Sequence, residues 1–249
     1  MKVAVLGATG KFGQRLAASC LARGHKVTAA ARQPERIKVP ATGIANGQWR
    51  AVRFDGDDPD SIDAVLADQD AVVSAAGNIA DGQAFVELFD RIVSAAERTL
   101  GQGRRIWMVA GAAVLDIPYA SRIVLDLPFV PKRYRPHRAN WQRLERSMLD
   151  WAMICPGSMA ADDELPAERG LSVTLDTLPF GLGPWARIAP PIALSLMMKA
   201  NTGRLELPYS VVADIVADHL TAGDRFGRRR VGAGWSTPSD KASLPSGPR

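Results

Sequence analysis

The chain is poor in cysteine and histidine, and this scarcity restricts the chemistry that it can perform. Its 249 residues include two cysteines and three histidines. Cys20 and Cys155 each lie inside an apolar segment, and no other ligand stands near them at metal-binding spacing. We therefore expect two buried thiols, no disulfide framework and no metal site.

The sequence also lacks a long hydrophobic run. A membrane-spanning helix needs roughly 20 consecutive apolar residues, whereas the best candidate, "IAPPIALSLMM", is short and contains two prolines. The first segment, "MKVAVLG", runs directly into a glycine-rich turn, which is not the pattern of a signal peptide. We therefore expect a cytoplasmic protein with no membrane partner.

Most of the chain carries no net charge, since its excess positive charge is concentrated at the C-terminal end. The formal net charge is +5, and residues 225–249 hold six basic residues and one acidic residue, which accounts for the whole excess. A nucleic-acid groove would need basic residues clustered on a folded face, but these belong to a segment rich in Ser, Pro and Gly. We predict a flexible basic tail over 225–249, dispensable from about Gly232 onward, and no nucleic-acid partner.

Short apolar runs alternate with helical patterns through the first two thirds of the chain. Six runs predict strands: "KVAVLG", "HKVTAAAR", "WRAVRFD", "DAVVSAAG", "RRIWMVAG" and "DWAMICPG". Alternation of this kind is typical of an α/β fold, a doubly wound parallel sheet with helices on both faces. After residue 157 the rhythm loosens, which predicts a small C-terminal cap within a single domain of residues 1–224.

Three glycines follow the first predicted strand and open the first helix. Gly7, Gly10 and Gly13 have the G-x-x-G-x-x-G spacing of a dinucleotide-binding turn. Backbone amides at a helix start carry partial positive charge, so a phosphate binds there if the backbone can approach it closely. We predict a pyrophosphate site at this turn, which includes the residues between the glycines, Thr9, Lys11 and Phe12.

The end of the second predicted strand indicates which dinucleotide binds. NAD-binding sites usually carry an acidic residue there, whereas this chain reads "TAAAR" and places Arg32 at that point. A guanidinium pairs with a 2′-phosphate that a carboxylate would repel, so NADP(H) is favoured over NAD(H), unless Arg32 is only a solvated loop residue. Asp55 after the third strand would accept a bond from adenine, and small residues, Ala75, Ala76 and Gly77, would lie beside the cofactor.

These motifs together carry a resemblance that covers residues 1 to about 220. G-A-T-G-x-x-G, the arginine after strand two, "FDGDD", "SAAG" and "LERSMLDWAMICPG" resemble the atypical short-chain dehydrogenase/reductases, most closely the NmrA-like, NAD(P)H-binding branch. The resemblance implies a Rossmann fold and an NADP(H) cofactor. It also implies that the segment after strand six, Pro156, Gly157 and Ser158, runs beside the nicotinamide.

The catalytic residues of active members of that superfamily are missing here. Such enzymes use a serine after strand five and a Tyr-x-x-x-Lys on the next helix, where the tyrosine acts as a tuned general acid. Gly111 stands at the serine position, and the sequence contains no Tyr-x-x-x-Lys. Alignment on "LERSMLDW" puts His137 near the lysine position and Arg133 or Tyr134 near the tyrosine position.

His137 and Tyr134 are consequently the candidate catalytic residues. His137 has an unperturbed pKa near physiological pH and could donate a proton, or it is a helix-start residue bonded to backbone. Tyr134 could serve as an acid, or it is a rim tyrosine packed on the neighbouring prolines. We expect Pro136 in the first helical turn, which would leave Tyr134 just outside the helix.

Two functions are compatible with these residues. The first is an NADPH-dependent reductase of a small molecule such as a quinone, a flavin or an activated alkene, and the apolar cap segment "PFGLGPWARIAPPIALSLMM" could line its pocket. The second is a non-catalytic NADP(H)-binding redox sensor that presents its surface to a partner. A homodimer is compatible with both functions.

Overall fold

The computed structural model describes residues 1–38, 47–101, 103–162 and 170–236. Its strands are β1 Lys2–Leu6, β2 Lys26–Ala31, β3 Trp49–Arg53, β4 Ala71–Ser74, β5 Arg105–Val109, β6 Asp150–Cys155, β7 Ser158–Ala160, β8 Gly170–Leu175, β9 Glu206–Pro208 and β10 Arg229–Ser236. Its α-helices are α1 Lys11–Ala22, α2 Pro59–Leu66, α3 Gln83–Thr99, α4 Arg135–Glu145, α5 Pro191–Asn201 and α6 Tyr209–Ala217. The six strands predicted from the apolar runs are confirmed as β1 to β6.

The strands form an eight-stranded sheet in the order β3-β2-β1-β4-β5-β6-β10-β8, and β7 and β9 form a separate two-stranded sheet. Within the large sheet, β8 is the antiparallel edge strand, paired with β10. The order reverses between β1 and β4, which opens a crevice at the carboxyl ends of these strands. The predicted α/β fold, a mostly parallel doubly wound sheet, is confirmed.

Helices cover both faces of the sheet because their apolar positions recur at helical spacing. Phe12, Leu16 and Cys20 of α1 are buried on one face, where α6 also packs. The helices α2, α3 and α4 cover the other face, and β4 between the two layers is buried along its whole length. No helix in the described residues is both long and apolar enough to cross a bilayer.

Both cysteines are buried free thiols, as predicted. Cys20 and Cys155 have no accessible surface. Burial disfavours the thiolate and raises the pKa of Cys20 to about 12 and that of Cys155 further. Neither thiol is therefore a nucleophile at neutral pH.

The prediction of a flexible tail beginning at residue 225 is wrong for residues 225–236. Residues 229–236 form β10, which lies inside the sheet between β6 and β8, and Val231, Ala233 and Trp235 are buried. The glycines of this strand permit close packing, since a Cβ on Gly232 would lie 2.5 Å from the Thr177 carbonyl oxygen. Truncation from Gly232 would remove five of the eight residues of this sheet strand. Residues 237–249, including Lys241 and Arg249, lie outside the described residues.

The arginines of this segment form specific contacts. Arg230 is 6% exposed, bonds to Asp116 at 2.8 Å and to the Val114 carbonyl, and stacks 3.9 Å from the centre of the Trp141 ring. A buried guanidinium without such partners would cost several kcal/mol. Arg228 donates to the carbonyls of Ser147 and Leu149 before β6. The positive charge that suggested a solvated tail is therefore partly internal.

The predicted cap is smaller than the sequence suggested. Two elements that follow residue 157 belong to the body of the fold, since β8 joins the large sheet and α6 packs against α1. The β7–β9 pair, the 3₁₀ turn Pro184–Arg187 and α5 stand outside the large sheet. These elements follow the carboxyl end of β6.

Candidate functional site

The glycine turn between β1 and α1 depends on close backbone approach at Gly7 and Gly13. Gly7 has φ +79°, and a Cβ there would lie 2.7 Å from the Ala75 carbonyl oxygen. A Cβ on Gly13 would lie 2.4 Å from the Gly7 carbonyl oxygen, so Gly13 lets α1 pack closely on the turn. Gly10 is the N-cap of α1 and provides no side-chain cap. The first-turn amides of α1 therefore face the crevice without a side-chain acceptor.

A groove runs along the carboxyl ends of the strands and consists of two adjoining cavities. Gly10, Ala75, Ala76 and Gly77 belong to both cavities. The cavity over β1, β2 and β3, here called the Arg32 half, has a volume of about 480 Å³, and the cavity over β1, β4 and β5, here called the His137 half, about 570 Å³. The predicted site residues divide between them: Gly7, Thr9, Arg32 and Asp55 line the Arg32 half, and Lys11, Phe12, Gly13 and His137 line the His137 half.

Arg32 and Asp55 lie in the same half of the groove. Arg32 follows β2, is exposed and forms no ion pair with any other described residue. Asp55 is partly buried, and its carboxylate accepts a hydrogen bond from the Asp57 amide at 3.2 Å. Arg53 is 3.6 Å from the Asp55 carboxylate. A free guanidinium and a partly satisfied carboxylate thus stand in one cavity.

The small residues after β4 form the shared floor of the groove. Gly77 has φ +96°, and a Cβ there would collide with the Phe85 ring at 2.6 Å. Ala75 and Ala76 precede it and are partly buried. Short side chains at these positions keep the floor low enough for a planar group to lie across it.

His137 lies on the wall of the other half of the groove, at the start of α4. It is 7% exposed, and its ring meets Phe85 edge-on with 5.9 Å between the ring centres. Its Nδ1 has no hydrogen-bond partner among the described residues. Burial disfavours the imidazolium and lowers the pKa of His137 to about 4. The ring is therefore neutral at pH 7, which removes the reason for expecting it to act as a general acid.

The His137 ring lies next to Gly111, close to where a side chain at position 111 would point. Gly111 follows β5, and a Cβ there would lie 3.1 Å from His137 Nε2. That distance is tighter than most real Cβ contacts, so a serine at this position would press on the ring. The glycine that stands at the serine position and the histidine thus pack against each other.

The structure does not bring Tyr134 to the groove. Tyr134 is partly buried just before α4, as the position of Pro136 predicted, and it lines neither cavity among the described residues. Its hydroxyl accepts from Arg133 at 3.4 Å, and the Arg133 guanidinium lies 5.2 Å from its ring centre. Tyr134 therefore lies outside both cavities, and its packing on the neighbouring prolines remains a prediction.

Tyr209 stands in the His137 half instead, and sequence reasoning missed it. It is the first residue of α6 and lines the cavity together with His137 and Ala110. More than 70 residues separate it from His137 along the chain, and no local motif marks it. β9 pairs in parallel with β7, which follows β6, and α6 with Tyr209 begins directly after β9.

The segment Pro156, Gly157 and Ser158 lies beside the His137 half but not on its wall among the described residues. The Pro156 carbonyl accepts from the Ala112 amide at 2.8 Å, next to Gly111. Gly157 packs against Leu205, where a Cβ would come within 2.4 Å, and Ser158 begins β7. The segment therefore supports the wall, and its predicted contact with a nicotinamide remains a prediction.

Comparison with solved structures gives the same overall fold. A candidate exported protein from Burkholderia pseudomallei is 26% identical, and the match covers 94% of this chain and 99% of that chain at a TM-score of 0.68. A short-chain dehydrogenase/reductase from Veillonella parvula, solved with NADP, is 19% identical over 98% of both chains at 0.66. A candidate NADH-flavin reductase from Streptococcus pneumoniae is 19% identical over 95% of this chain and 100% of that chain at 0.65.

The family model described as NAD(P)H-binding matches residues 7–187. The match begins at the first glycine of the turn and extends beyond α4, so it includes every residue named above for the two halves of the groove except Tyr209. It agrees with the resemblance drawn from the sequence motifs. The chain belongs to the NAD(P)H-binding family.

Proposed function

We propose that the protein is an NADPH-dependent reductase whose acceptor needs no proton from a Ser–Tyr–Lys set. One observation carries the proposal: a single groove has a free arginine at one end and, at the other, a neutral histidine packed against the glycine that replaces the serine. The first feature favours a phosphorylated dinucleotide. The second disfavours reduction of an ordinary ketone.

The residues of the Arg32 half fit the adenosine part of NADP(H). The Arg32 guanidinium is free to form a forked pair with the 2′-phosphate, and the Asp55 carboxylate has acceptor capacity left for the adenine amino group. The uncapped first turn of α1 would bind the pyrophosphate. NADPH bound in this way would supply a hydride to an acceptor in the His137 half.

The residues of the His137 half would give an acceptor an apolar surface to lie against. Phe85, Ala110 and the neutral His137 ring form an apolar wall. His137 Nε2 and Nδ1 offer one donor and one acceptor, but an imidazole N–H is a very weak acid. A quinone, a flavin or an activated alkene accepts hydride without a strong local acid and takes its proton from water or from Tyr209.

A panel of acceptors tests this proposal. NADPH oxidation is followed with a quinone, a flavin, an activated alkene and simple ketones for the wild type, Tyr209→Phe and Tyr134→Phe. We expect turnover with at least one of the first three acceptors, slower turnover for Tyr209→Phe, and a change below twofold for Tyr134→Phe, the matched control outside the groove.

Two outcomes would contradict the proposal. Fast reduction of simple ketones by the wild type would mean that a general acid lies elsewhere in the groove. Tight NADPH binding with no turnover of any acceptor would favour the redox sensor.

A further inference from the structure

Large apolar side chains are exposed along α5 and the turn before it. Ile188, Ile192 and Leu196 are 86%, 57% and 60% exposed. Their spacing of four residues puts Ile192 and Leu196 on one side of α5 and Ile188 just before it. Trp185, in the preceding 3₁₀ turn, is also exposed. Apolar groups concentrated in this way usually mark an interaction surface rather than ordinary solvent contact.

A phenylalanine from a neighbouring loop extends this surface. The Ser195 hydroxyl on α5 donates to the Pro128 carbonyl, which fixes the loop beside the helix. The next residue, Phe129, is 78% exposed and has φ +69°. A left-handed conformation costs roughly 1–2 kcal/mol for a residue with a Cβ, and here it holds an aromatic ring outward in solvent. We call the exposed set Phe129, Trp185, Ile188, Ile192 and Leu196 the apolar face.

Only basic residues accompany the apolar face in the two segments that form it. Residues 127–144 and 177–205 contain no aspartate or glutamate. Lys132, Arg187 and Lys199 are exposed, and none of them forms an ion pair with another described residue. An apolar surface bordered by free cations is complementary to anionic headgroups above a hydrocarbon layer.

We infer that the apolar face binds peripherally to an anionic lipid surface. Phe129, Ile192 and Leu196 enter the interfacial layer while Lys132, Arg187 and Lys199 contact the headgroups. A second copy of the chain is a poorer occupant, because an isologous contact would pack this surface, with its basic residues, against a surface of the same charge. The sequence excluded a spanning segment and for that reason predicted no membrane partner, whereas peripheral contact requires no such segment.

Vesicle co-sedimentation tests the inference with the full chain. Vesicles of phosphatidylcholine alone are compared with vesicles that contain equal phosphatidylcholine and phosphatidylglycerol. We expect binding to the mixed vesicles, which weakens as salt is raised, and little binding to phosphatidylcholine alone. Equal binding to both vesicle types, or none to either, would overturn the inference.

Two groups of variants separate the two components of the contact. Ile192→Ser with Leu196→Ser should abolish sedimentation, and Arg187→Gln and Lys199→Gln should each weaken it by about fivefold. Met148→Ser is the matched control, since Met148 is 95% exposed just before β6, outside the apolar face. The melting temperature and NADPH affinity of each variant report whether the fold is intact.

The same variants distinguish a protein occupant from a lipid one. A dimer in solution that Ile192→Ser with Leu196→Ser dissociates, without any vesicle binding by the wild type, would assign the face to a second copy. Vesicle binding that survives this double substitution would also overturn the inference, because the apolar face would then not be the contact.

Discussion

The two halves of the groove are built in different ways. The Arg32 half depends mainly on backbone: a glycine turn that carbonyl oxygens pack against, an uncapped helix start and two charged side chains at strand ends. The His137 half depends on side chains that pack on one another. The Arg32 half carries the glycine turn that is typical of dinucleotide-binding sites, whereas the His137 half lacks the serine and the Tyr-x-x-x-Lys used by active members of the wider superfamily. One half of the site can therefore keep its nucleotide-binding role while the other half loses the usual catalytic chemistry.

The two residues that stand at positions of the usual catalytic set in the His137 half, Gly111 and His137, lie in contact with each other. Gly111 leaves the space that the His137 ring occupies, and Phe85 packs against the ring edge-on. A serine at position 111 would bring a Cβ to 3.1 Å from His137 Nε2, so the ring would have to shift to admit it. The difference between the halves therefore predicts a protein that binds its nucleotide normally and reduces ketones poorly.

The largest expected effect is on ketone reduction. A missing general acid typically costs about 10²–10⁴-fold in rate, so kcat/KM for simple ketones should be lower than for the best quinone, flavin or alkene acceptor by that order. Gly111→Ser should not restore ketone reduction, because the new side chain meets His137 at about 3 Å and no Tyr-x-x-x-Lys accompanies it. Steady-state NADPH oxidation with both acceptor classes checks this. Ketone turnover by Gly111→Ser would contradict this account, because it would show that the His137 half supports ketone reduction once the serine is restored.

The glycine turn at the junction of the halves comes next. Gly13→Ala brings a Cβ to 2.4 Å from the Gly7 carbonyl oxygen and must displace α1 or the turn. We expect NADPH affinity to fall about 100-fold, equivalent to roughly 2.7 kcal/mol. Gly203→Ala is the control, since its Cβ would meet no atom within 4 Å. Unchanged affinity by calorimetry in Gly13→Ala would mean that the nucleotide binds elsewhere.

The buried histidine makes the His137 half sensitive to acid. Burial lowers the pKa of His137 to about 4, whereas the unfolded chain has a value of about 6.5. As the pH falls below 6.5 the unfolded state gains a proton that the folded state does not, so stability present above pH 6.5 is lost toward pH 4. Between pH 7 and 5 this amounts to about 2 kcal/mol.

Chemical denaturation at both pH values measures this loss. His137→Gln should lose about 2 kcal/mol less than the wild type over the interval, whatever its stability at pH 7. His25, whose pKa burial also lowers, remains in both proteins and leaves a residual slope in each. Identical slopes for the two proteins would indicate that the His137 ring is solvated.

The fold was predictable where strand and helix patterns alternate, because β1 to β6 are apolar runs that the local sequence marks. β10 was missed because the glycines, serine and arginines around "VGAGWS" are typical of loops, although the glycines here permit close packing and Arg230 is paired internally. Tyr209 was missed for a different reason: only tertiary structure brings it to His137. Residues at strand ends were predictable, whereas residues supplied by distant elements were not.

The preference between the two nucleotides is the smallest effect and the most direct test of the central claim. Calorimetric titration of the wild type should give NADPH at least tenfold tighter than NADH, equivalent to roughly 1.4 kcal/mol. Arg32→Asp should reverse this preference, because it removes the guanidinium and adds a charge that repels the 2′-phosphate. Equal affinities of the wild type for the two nucleotides would contradict the assignment of Arg32 and, with it, the proposal of an NADPH-dependent reductase.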